Sequence, residues 1–190
     1  MGEQTAMTGK YRWIDAEALD AFCLTIAVGA QLTAVESAFK IVPESRKLTT
    51  VAQYWDTFGK DSEGGNDAVQ INTLGRSIIA FENNGWTGSD DYSQKLYIKI
   101  GCPVYVSIFK NINSVMRFLY ARNGALVRAF DPLLYEPEGA IPEEGAFMWG
   151  LDHPLRSSFA LAEKLTGIEI TRDWLLGQAH PTYRTLHGNT

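Results

Sequence analysis

Arg122-Asn123-Gly124-Ala125 separates two runs rich in β-branched, aromatic and aliphatic residues, 115–121 and 125–130. Asn-Gly supplies the two positive-φ residues that a type I′ turn requires, since a left-handed backbone is free of penalty for Gly and tolerated by Asn. The stretch predicts a two-residue β-hairpin, which commits this part of the chain to antiparallel sheet. So short a loop also sets the register: Ala121 opposite Leu126, Tyr120 opposite Val127, Leu119 opposite Arg128 and Phe118 opposite Ala129. Side chains alternate along a strand. One face then carries Met116, Phe118, Tyr120, Val127 and Ala129 and is the better core candidate, while the other carries Arg117, Leu119, Leu126, Arg128 and Phe130.

The same reasoning extends along the chain. Further strands are expected at 68–74 and 77–83, joined through Gly75-Arg76, and at 103–109. Asp15 can cap a helix to about residue 30, with Leu19, Phe22, Cys23, Ile26 and Ala30 on one stripe. Thr33 with Glu36, and Thr50 with Gln53, have capping-box spacing, the first opening a short helix that stops before Pro43 and the second a helix that stops at Gly59. Ser89 opens a helix to about Lys99, Asp152 one that Gly167 ends, and Thr171 a last one. Residues 60–67 read as a loop, and 135–150, rich in Gly and Pro, as the longest irregular connection. The expectation is an α+β fold in a single domain, residues 13–179. It has an antiparallel sheet of about five strands built from hairpins, with helices from the N- and C-terminal segments packed on one face. Residues 1–12 read as a flexible N-terminus and 180–190 as a tail.

Composition narrows the function classes. Hydrophobic residues make up 45% and charged residues 21%, values of a soluble globular chain. The net charge of −5, without a Lys/Arg cluster, argues against nucleic acid or an anionic membrane as partner. The first ten residues lack the apolar core of a signal peptide, and no apolar run approaches the ~20 residues that span a bilayer. Cys23 and Cys102, the only cysteines, read as buried, reduced thiols. A cytoplasmic protein is the expectation.

The segments AFCLTIAVG, IIAFENNGWTGS, VSIFKNINSVMRFLYARNGALVRAFDPLL and FALAEKLTGIEIT follow one another in that order. Together they resemble an actinobacterial family known only as a domain of unknown function, six-four-six-one in the usual catalogue. The resemblance runs over residues 11–176. It implies no activity, cofactor or catalytic residue. It does direct attention to 80–86 and 109–113, two strand-to-turn junctions whose polar groups could converge.

Motifs for chemistry are absent. There is no phosphate-cradling glycine loop and no nucleophile elbow. His153, His180 and His187 have no metal-ligand spacing with one another, and neither cysteine has a base nearby in sequence, so no metal, cofactor or catalytic residue is assigned. Glu82 ends a strand beside Ile78 and Ala80. It is either an acid or base with a raised pKa, or an acceptor for backbone amides of the Asn84-Gly85 turn or the partner of an arginine. Asp131 before Pro132 reads as a turn former. Arg117 and Arg128 either clamp a phosphate or carboxylate or hold their heads in solvent. Trp86, Tyr92, Tyr97 and Tyr105 line a pocket or fill the core. Trp149, beside Phe147 and Met148, either plugs the core or forms an exposed anchor for a partner.

These residues support a non-enzymatic binding protein, immunity-like or regulatory, that acts through a protein partner at Phe147, Met148 and Trp149. The alternative is a binder of a small anionic ligand such as a nucleotide or organic phosphate, or a minor enzyme, using Glu82, Asn111, Asn113, Arg117 and Arg128. A homodimer through a sheet edge or the 145–151 loop is a third reading.

Overall fold

A computed structural model describes residues 8–17, 19–59, 68–90 and 94–186. The strands are β1 Phe22–Val28, β2 Ile41–Thr49, β3 Ala68–Leu74, β4 Ser77–Asn83, β5 Val104–Lys110, β6 Met116–Arg122, β7 Ala125–Phe130 and β8 His180–Thr185. The helices are α1 Trp13–Ala16, α2 Leu32–Ala38, α3 Val51–Tyr54, α4 Leu96–Ile100 and α5 Pro154–Thr166. All eight strands join one sheet in the order β2-β8-β3-β4-β1-β5-β6-β7, and each pairing is antiparallel. The α+β class and single antiparallel sheet agree with the sequence, but the sheet has eight strands rather than five. The additional ones are β1, β2 and β8.

β1 corrects the largest expectation, the helix at 15–30. Every residue of Phe22–Val28 is buried. Phe22, Leu24, Ile26 and Val28 face one core and Ala27 the other. A strand buried on both faces loses its alternation and becomes a continuous apolar run, which periodicity cannot separate from a buried helix. β2 holds Pro43 at a sheet edge, within the register shift between Val42 and Lys47, where a missing N–H breaks no ladder bond. β8 falls in the expected tail and lies between β2 and β3. Tyr11, assigned to a flexible N-terminus, is a core residue whose hydroxyl donates to Glu163 at 2.9 Å. The expected helix from Ser89 is interrupted: a 3-10 turn at Thr87–Ser89 precedes α4, which starts only after Lys95 in the left-handed region at φ 44°.

Helices cover both faces, not one. Leu155, Phe159 and Ala162 of α5 pack with Tyr11, Phe22, Ile26 and Phe118 on the first face. Val35 of α2 and Leu96, Tyr97 and Ile100 of α4 pack with Ala27, Leu119 and Tyr105 on the second. Cys23 and Cys102 are free and buried.

The central hairpin forms as expected at its tip. Asn123 and Gly124 have φ of 50° and 76°, and Ala121 opposes Leu126. Beyond that pair the register shifts, so that Tyr120 opposes Arg128, Leu119 opposes Ala129 and Phe118 opposes Phe130. Val127 is the extra residue of a β-bulge on an edge strand. One inserted residue exchanges the faces of everything beyond it. Arg128 and Phe130 therefore share the face of Phe118 and Tyr120, and Arg117 lies on the opposite one.

Candidate functional site

The 84–90 loop is fastened from below by Glu82. This residue opposes Cys23 in the ladder and is buried, and its two oxygens accept the N–H groups of Thr87 at 3.0 Å and Gly88 at 2.9 Å. The Tyr105 hydroxyl donates to the Gly88 carbonyl at 2.5 Å, and Ser89 Oγ to the Trp86 carbonyl at 3.0 Å. The loop sits so close that a Cβ on Gly85 would fall 2.6 Å from Glu82 Cβ. Glu82 thus acts as an amide acceptor, with its donors a turn further on than the Asn84-Gly85 pair.

Burial raises the Glu82 pKa, while the two amides and the Thr87 side chain pull it back. Burial, then the Glu82 carboxylate, pushes the Cys23 thiol well up, which disfavours the thiolate. A carboxyl whose folded pKa lies above its unfolded value favours the fold while protonated, and that contribution is lost as pH rises through the folded pKa. The wild type is therefore expected to lose stability relative to Glu82→Gln as pH climbs above 4.5. Urea melts across that range check this, and a pH-independent difference would contradict it.

Asn111 and Asn113 build a turn. Asn111 Oδ1 accepts the N–H groups of Asn113 at 3.0 Å and Val115 at 2.9 Å, which fixes the β5–β6 connection. The arginine clamp does not form, because the bulge puts Arg117 and Arg128 on opposite faces. Arg128 is committed to a buried pair: its Nε donates to Glu144 Oε1 at 2.9 Å and its Nη2 to Oε2 at 3.2 Å. Its remaining donors reach the carbonyls of Glu138 at 2.8 Å and Glu136 at 2.7 Å. The structure thus does not bring Glu82, Asn111, Asn113, Arg117 and Arg128 into one site.

The same pair holds the long connection after β7. Glu144 lies in a 3-10 turn, Pro142–Ala146, and also accepts the Ile141 N–H at 3.2 Å. Trp149 Nε1 donates to the Glu144 carbonyl at 3.1 Å. The indole meets Phe130 edge-on at 5.0 Å and stacks on Tyr135 at 5.3 Å. Of the two readings of Trp149, the plug is the one the packing supports. Phe147 is half-buried, whereas Met148 is 66% exposed. Around them, Leu134 is 75% exposed and Leu151 92%, beside a shallow cleft floored by Tyr135, Trp149 and Gly150. Leu134 and Leu151 were not singled out in the sequence, where an apolar residue in a Gly/Pro-rich loop gives no sign of its exposure.

A larger cleft, about 560 Å³, opens where β5 and β7 end and β6 begins. Its lining includes Trp86, Asp90, Phe109, Arg117, Phe130 and Asp131. Trp86 is 58% exposed on the fastened loop, whereas Tyr97 and Tyr105 are buried against each other in the core, and Tyr92 lies outside the described residues, as do 60–67 and His187. Asp131 keeps its expected turn role, its Oδ1 accepting the Leu133 N–H at 2.8 Å.

Among the described residues no group of three or more His, Cys, Asp and Glu is placed to hold a metal ion, and no helix is long and apolar enough to cross a membrane. Comparison with protein-family models, with curated proteins and with solved structures found no match to this chain.

Proposed function

We propose that the chain is a binding protein that engages a partner protein through the surface formed by Leu134, Met148 and Leu151. The observation that carries this is the combination of exposed side chains and a fixed backbone. Three large apolar groups stand in solvent on a connection that Arg128, Glu144 and Trp149 hold in place. A loop ordered beforehand loses little conformational entropy on binding. Around the apolar centre Glu136, Glu138 and Asp152 are exposed. The complementary partner presents an apolar knob inside a basic rim, which agrees with the acidic chain overall. A regulator or inhibitor that covers its target by surface complementarity works in this way.

The test is native mass spectrometry of the protein purified gently from its own host, with wild type and Leu151→Asp side by side. A stoichiometric protein partner that is held by wild type and lost from a folded Leu151→Asp supports the reading. Leu134→Ala and Leu151→Ala should each weaken that complex about tenfold, or about 1.4 kcal/mol, and added salt should weaken it further. A protein that is alone in its host, or a partner that stays on Leu151→Asp, overturns it.

The anionic-ligand reading is less well supported. The large cleft is lined by one cationic residue, Arg117, and two acidic ones, Asp90 and Asp131, a balance that does not favour a phosphate.

A further inference from the structure

We infer that the Leu134, Met148 and Leu151 surface also takes a second copy of this chain, which docks head to tail through the outer side of α4. This docking rests on the reading of that surface as adhesive, and adds how it is kept covered. α4 lies over the second face of the sheet, with Leu96, Tyr97 and Ile100 in the core, and packs beside β7. On its outer side Ile98 is 53% exposed. Leu126, 43% exposed, opposes Ala121 and so belongs to the same face. Lys95 and Lys99 lie on either side of Ile98 in the chain and are exposed. The molecule thus carries its own apolar knob with a basic rim, the kind of partner its acidic surface fits.

The charges on both sides are available. Among the described residues the side chains of Glu136, Glu138, Asp152 and Lys95 have no partner, and Lys99 donates to the neutral Gln94 amide at 2.9 Å. Like surfaces are a poor match, since a two-fold contact would set carboxylates against carboxylates or ammonium groups against ammonium groups. The unlike pair is complementary. The two surfaces also cover opposite faces of the sheet, because the connection after β7 packs through Leu133, Phe147 and Trp149 on the first face. One copy can therefore dock on each side, and the contact repeats from copy to copy. The net charge of −5 opposes association at a distance, so assembly belongs to high protein concentration. There a host partner must displace a copy of the chain itself, which ties access to the surface to the abundance of the protein.

Sedimentation velocity of the purified full chain, from micromolar to millimolar concentration, tests this without any host factor. The wild type is expected to grow in mass with concentration, past the dimer. Leu151→Asp and Ile98→Asp, both at exposed positions, should each weaken that association about tenfold or more and leave the melting temperature in place. Mixed one to one, they should form a dimer and nothing larger, because each retains the surface that the other lacks. Lys95→Glu with Lys99→Glu should behave as Ile98→Asp does, and takes its place if that variant does not fold. Head-to-tail docking is overturned if the wild type stays monomeric at millimolar concentration, if a folded Ile98→Asp associates as wild type does, or if the mixture stays monomeric. A monomeric wild type leaves the partner reading standing, because that reading is tested by the host complex and not by self-association.

Discussion

Glu144→Ala is expected to destabilise the protein by about 3–5 kcal/mol, the effect of removing one partner from a buried ion pair. Glu144 is fully buried, and its carboxylate is the only charge bonded to Arg128 among the described residues. Without it a guanidinium stays out of water with two backbone carbonyls, those of 136 and 138, as its acceptors. The cost is the stranded charge more than the lost attraction. Hence Arg128→Met with Glu144→Leu should recover most of the stability, since an apolar pair of similar volume strands nothing. Urea denaturation at neutral pH measures both. At roughly 2–4 °C per kcal/mol for a domain of this size, the single variant should melt about 6–20 °C lower. A loss below about 1 kcal/mol would mean that the connection after β7 is not held by this pair. Trp149 reports the same event by its fluorescence, because its indole N–H is bonded to the Glu144 carbonyl and its ring is packed on Phe130.

The second large effect is steric. A Cβ at Gly88 would lie inside van der Waals contact of Thr25 Oγ1 and 3.0 Å from Cys23 Sγ, both on the central strand β1. The Gly88 backbone is not in the left-handed region, so Gly88→Ala tests close approach alone. An expected cost of about 1–3 kcal/mol follows from overpacking a site where neither neighbour can retreat. Thr25 is buried with its hydroxyl unpartnered, so Thr25→Ala forfeits little and clears the obstruction. The double variant should then be more stable than Gly88→Ala alone, with a coupling of about 0.5–3 kcal/mol in a double-mutant cycle. Additive effects would show that the loop yields elsewhere.

Where the sequence was legible, the cause was local chemistry. Asn123-Gly124 and Gly75 impose their turns through φ, and Thr50 and Gln53 form the reciprocal cap their spacing suggests, at 3.1 and 3.3 Å. Gly167 ends α5 as expected, although the helix starts at Pro154 with His153 rather than Asp152 in the cap position. Where it was not, the deciding contact was distant. Nothing near Phe22 shows that two strands will flank it, and nothing near His180 shows that β2 and β3 will open around it. The bulge at Val127 was the costlier omission for function. A two-residue turn predicts an unbroken ladder, and one extra residue was enough to move Arg128 from a supposed ligand face into a buried pair. Glu144 itself looked like one more acid in a polar loop, because a partner for it could be named only once Arg128 had turned inward.

The position of β8 between β2 and β3 has a kinetic side. Thr49 and Thr182, bonded at 2.6 Å, stand 133 positions apart in the chain, and among the described residues β2 has no other strand beside it. Until β8 arrives, β2 cannot join the sheet and β3 presents an open edge, the kind of surface on which unfinished chains pair with one another. Closing so long a loop is slow, because its entropy is lost before the contacts that reward it exist. Assembly of this half of the sheet is thus a late step, and the span between β2 and β8 sets how long the chain stays vulnerable.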